Sequence, residues 1–64
     1  MSLKGARERA GMRVTEAARR LMVTSPAVTQ WENGKTIPRA DRLARIAEIY
    51  GCTVDELLRE EAGE

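Results

Sequence analysis

The sequence predicts an all-α fold of five short helices in a single domain, and three observations carry that expectation. Capping hydroxyls and helix-ending glycines recur along the chain. One apolar stripe repeats at i, i+3, i+4 and i+7. No stretch sustains the two-residue alternation of a half-buried strand. With 64 residues there is room for one domain, with residues 1–59 as its body and the acidic residues 60–64 as a tail expected to fray.

The elements follow in order. Ser2 is placed to cap a first helix over roughly residues 3–10, ended by Gly11. Met12 to Thr15 lead into a second helix with Ala17, Ala18 and Leu21 on one face. Thr24-Ser25-Pro26 starts a third, because proline suits the first turn and a hydroxyl caps it; either hydroxyl could serve. That helix runs to about Asn33, where Gly34 stops it. After the loop Thr36-Ile37-Pro38, a fourth helix lines up Leu43, Ile46, Ala47 and Tyr50, and Gly51 ends it. Thr53 and Glu56 read as a capping box opening a fifth helix that carries Leu57 and Leu58.

Charge is unevenly spread. Residues 1–45 carry ten basic side chains against four acidic ones, a net of +6; residues 46–64 carry one against six, a net of −5. A chain this polarised can offer phosphates a positive face and keep its acidic end away. Cys52 is the only cysteine, which fits a reducing cytoplasm. There is no apolar run of about 18 residues and no signal-peptide core, so a cytoplasmic location away from membranes is expected.

The second and third helices are separated only by Met22-Val23-Thr24. Helices joined this tightly cross steeply, with Ala17 and Ala18 permitting close approach and Val23 and Val28 filling the angle. That geometry holds the later helix out for a major groove. From Ala17 to Pro38 the sequence A-A-R-R-L-M-V-T-S-P-A-V-T-Q-W-E-N-G-K-T-I-P resembles the helix-turn-helix of the Cro/repressor (XRE) family. L-K-G-A-R-E-R-A-G-M, L-A-R-I-A-E-I-Y-G and V-D-E-L-L extend the resemblance from Leu3 to Leu58. It implies a compact five-helix, lambda-repressor-like DNA-binding domain whose third helix reads base edges. Two positions depart from the family. Met22 stands where the turn usually has glycine, and Val14, preceded by Arg13, stands where a phosphate-touching glutamine usually begins the second helix.

By resemblance, Ser25, Pro26, Thr29 and Gln30 face bases. Their chemistry suits base edges, since Gln30 can pair bidentately with adenine, Ser25 can donate or accept, and Pro26 can touch a thymine methyl. Arg13, Thr24, Asn33, Lys35 and Arg39 occupy helix starts or the loop after the reading helix, positions suited to phosphate contacts. Arg7 and Glu32 match the family's ion pair between the first and third helices. Trp31 reads as core, three residues after Val28, in preference to a base-stacking platform. Met12 and Met22 read as packing residues, and Cys52 as a small, partly buried apolar one.

The absence of histidine, of a Gly-rich phosphate loop and of carboxylates at metal spacing argues against an enzyme, and no metal or cofactor is implied. The expected function is that of a transcriptional regulator, a repressor, binding double-stranded DNA. The alternative is an antitoxin with a toxin partner, or a small protein-interaction adaptor, on the same fold. One reading helix covers few base pairs, so a homodimer on a palindromic operator is expected, with Val54, Glu56 and Leu58 as interface positions.

Overall fold

The computed structural model describes residues 2–59, without the side chain of Arg59; the acidic tail from residue 60 lies outside them. The helices are α1 (Leu3–Arg9), α2 (Val14–Leu21), α3 (Ser25–Glu32), α4 (Ala40–Tyr50) and α5 (Val54–Arg59), and no strand occurs among the described residues. None of these helices is long and apolar enough to cross a membrane.

Three of the five starts, those of α1, α3 and α5, have a capping side chain. The Ser2 hydroxyl accepts from the Gly5 N–H at 3.3 Å. At α3 the capping hydroxyl is that of Thr24, which accepts from the Ala27 N–H at 3.2 Å; Ser25 and Pro26 are the first two helical residues. The box at α5 is reciprocal: Thr53 N–H donates to Glu56 at 2.8 Å and Glu56 N–H to the Thr53 hydroxyl at 3.0 Å.

Four helices end in the same way, with a left-handed residue and two backbone bonds folded back over the last turn. Three use glycine: Gly11, Gly34 and Gly51. The fourth, at the end of α2, uses Met22 at φ 60°, with its N–H on the Arg19 carbonyl and the Val23 N–H on Ala18. Met22 is 89% exposed, so the expectation that it packs is wrong: the left-handed backbone at the turn aims the side chain into solvent. It therefore bears the left-handed cost, about 1–2 kcal/mol, without compensating burial. Met22→Gly is expected to stabilise the domain by about 0.5–1 kcal/mol after the extra freedom of glycine in the unfolded chain is counted. A thermal melt checks this, since a rise of a few degrees is expected and no rise would mean the turn is relaxed around methionine.

The core joins Leu3 and Ala6 of α1, Ala17 and Leu21 of α2, Leu43, Ile46, Ala47 and Tyr50 of α4, and Leu57 of α5. Val28 of α3 is also buried. Trp31 and Val23, expected inside, are only half-buried and pack against this cluster from its rim. An indole is large and α3 meets the body along one side, so part of the ring stays wet. The Ser2 N–H reaches the Leu57 carbonyl at 3.4 Å, tying the start of the chain to α5. Among the helix pairs α2 and α3 share the most extensive contact. The buried side chains on α2 at that level, Ala17 and Ala18, are small enough to allow it.

Candidate nucleic-acid interface

The site is built on α3. Val28 points inward, and Pro26, Thr29, Gln30 and Asn33 are exposed. These four stand at i, i+3, i+4 and i+7, so they form one stripe along the helix and its cap. Ser25 lies beside the stripe and is half-buried. Eight residues make a rod of roughly 12 Å, comparable with the width of a major groove.

The far end of α3 is anchored by Arg7. Its Nε donates to one Glu32 carboxylate oxygen at 2.7 Å, and one terminal amine donates to the other at 3.2 Å. The second terminal amine donates to the Met12 carbonyl at 2.9 Å, just beyond α1. The two side chains are 10% and 7% exposed, so the pair lies almost dry. Its bidentate form fixes angle as well as distance. The Glu32 carboxylate raises the Arg7 pKa further above its ordinary value.

Tyr50 of α4 adjoins this pair. Burial, helped by the nearby negative charge of Glu32, pushes its phenol up to about 12. An unfolded tyrosine ionises near 10, so the folded state resists an ionisation that the unfolded state accepts. Stability is therefore expected to be complete below pH 10 and to fall across pH 10–12, by on the order of 2–3 kcal/mol. Ultraviolet titration of the phenol and melts of Tyr50→Phe over that range check it. An unchanged pH dependence in the variant would assign the loss elsewhere.

Among the residues expected at phosphates, Arg13, Thr24, Asn33, Lys35 and Arg39 are all exposed. Arg13 precedes α2 and Arg39 precedes α4, both in extended backbone without a side-chain cap bond. Lys35 follows the α3 stop, where its N–H bonds the Gln30 carbonyl at 2.9 Å. Arg39 lies 3.5 Å from Asp41 in a solvent-exposed pair and holds that carboxyl below its ordinary range. Among the described residues Arg13 and Lys35 have no ion-pair partner. The structure thus brings the base-facing candidates onto or beside one helix, and sets Thr24, Asn33 and Lys35 at its two ends.

A contact from α4 to the turn was missed from the sequence. Arg42, in the first turn of α4, donates a terminal N–H to the Leu21 carbonyl at 2.9 Å. No local pattern announces a bond between residues 21 positions apart.

The helix-turn-helix family matches residues 3–57. This chain belongs to that family, in its Cro/repressor (XRE) branch, a family of DNA-binding transcription regulators. It is similar to the 26 kDa repressor protein of Escherichia phage HK022, 42% identical over 41 residues, which cover 64% of this chain and 17% of that protein. It is also similar to the HTH-type transcriptional activator BcrR of Enterococcus faecalis, 36% identical over 52 residues, covering 78% of this chain and 26% of that one. The chain therefore spans about a quarter or less of the length of these relatives. No solved structure matches.

Proposed function

We propose that this domain binds double-stranded DNA sequence-specifically as a transcriptional regulator, a repressor, with α3 in the major groove. The observation that carries the reading is the exposed stripe Pro26, Thr29, Gln30 and Asn33 on a helix whose angle is fixed by the dry Arg7–Glu32 pair. A reading helix needs both features: groups that reach base edges and a body that does not let them swing. A phage repressor and an activator among the similar proteins support regulation. The repressor assignment follows the phage protein.

Two copies on a palindromic operator extend the reading, with Val54, Glu56 and Leu58 of α5 at the contact. Leu58 is an exposed large apolar side chain. Half-sites about one helical turn apart would place two α3 helices on one side of the duplex.

Selection of binders from random duplex DNA, followed by a salt titration of the winning site, tests the reading. An enriched inverted repeat with steep salt dependence is expected. No enriched sequence would overturn it. Lys35→Ala and Arg39→Ala are each expected to weaken binding on every duplex and to flatten the salt slope by about one unit. A changed base preference with an unchanged slope would remove either residue from the phosphate set.

A further inference from the structure

We propose that Arg42 is a positioning residue for α3, a clamp on the turn before it; this rests on the regulator reading above. The last carbonyls of a helix lack partners within it. At the end of α2 those of Ala18 and Arg19 take the N–H groups of Val23 and Met22. The Leu21 carbonyl, next to the turn, takes the Arg42 guanidinium of α4 at 2.9 Å. A cation at a helix C-terminus is favoured by the helix dipole as well as by the hydrogen bond.

The turn needs such a bond. The Met22 side chain projects into solvent and anchors nothing, and its backbone is left-handed without being glycine. A conformation of that kind persists where its surroundings over-determine it. Val23, half-buried, supplies part of the restraint. The remainder is hydrogen bonding, and the Arg42 bond is the part that comes from outside the two helices. With Arg7 holding Glu32 at the other end, α3 is oriented by two arginines, one from α1 and one from α4.

The test compares wild type, Arg42→Met and Arg42→Lys. Each is measured on the operator selected by wild type and on an unrelated duplex of equal length, over a salt series. Hydrogen exchange is followed in the free proteins. In Arg42→Met the ratio of operator to unrelated affinity is expected to fall about tenfold, the scale of one charge-assisted hydrogen bond, with the salt slope unchanged. The Val23 amide is expected to exchange faster while that of Ile46, in the core, does not. Arg42→Lys is expected to fall between, because an ammonium can reach the carbonyl without the planar fork; it also carries the comparison if Arg42→Met unfolds. An unchanged ratio overturns the proposal. So does an equal loss on both duplexes with a slope flatter by about one unit, which would make Arg42 a phosphate contact. A wild-type protein that selects no duplex overturns the regulator reading itself.

Discussion

Glu32→Ala is expected to destabilise the domain by about 3–5 kcal/mol, the cost of leaving a buried charge without its partner. The charge left behind is Arg7, whose side chain is 10% exposed and is held in place by the Met12 carbonyl as well. A domain of this size has about 3–10 kcal/mol of stability in total, so the variant is expected to lose a large share of it. Urea titration with Trp31 fluorescence measures the loss. The double replacement Arg7→Met with Glu32→Leu separates stability from orientation. It removes both charges and is expected to recover most of the stability, since a well-packed apolar pair often does as well as a buried ion pair. If Glu32→Ala loses under about 1 kcal/mol, solvent reaches Arg7 and the pair is of the weak surface kind.

That pair also marks where sequence reading stops. Three helix starts and three stops were legible because their causes are local. Ser2, Thr24, Thr53 with Glu56, and the three glycines each satisfy or release backbone groups within four residues of themselves. The exposure of Pro26, Thr29 and Gln30 on α3 was legible for the same reason; Asn33, read as a phosphate position, falls on their stripe as well, and Ser25 is set to one side by the first turn. Arg7 and Glu32 stand 25 residues apart and were visible only through the family resemblance. Arg42 and Leu21, 21 residues apart, had no such guide. The Met22 side chain was misjudged, and Trp31, which does pack against the core, is covered less fully than expected, because hydrophobicity says that a residue prefers burial, not that the backbone will aim it there. Met22 sits on a left-handed turn that aims it outward, and α3 is too lightly covered to bury the whole indole.

Gln30→Ala is expected to lower operator affinity by about 1–3 kcal/mol, roughly 5- to 150-fold, while hardly changing non-specific binding. Gln30 is exposed in the middle of the α3 stripe, one turn beyond Pro26. Its stripe neighbours Pro26, Thr29 and Asn33 are shorter. It is the one long side chain of the stripe with both a donor and an acceptor, so it can bond N6 and N7 of one adenine together. Its backbone carbonyl is engaged by the Lys35 N–H, which fixes the main chain behind it and leaves the carboxamide without a hydrogen bond to the rest of the described protein. Preference is expected to relax at one A·T pair in each half-site. Thr29→Ala is expected to do less, since a hydroxyl makes a single bond. A panel of single-base operator variants, measured with wild type and Gln30→Ala at one salt concentration, decides the matter. Loss confined to one position supports base reading by Gln30. A uniform loss across the panel would mean that Gln30 seats α3 in the groove without reading a base, and discrimination would then have to come from Ser25 and Pro26, where α3 begins.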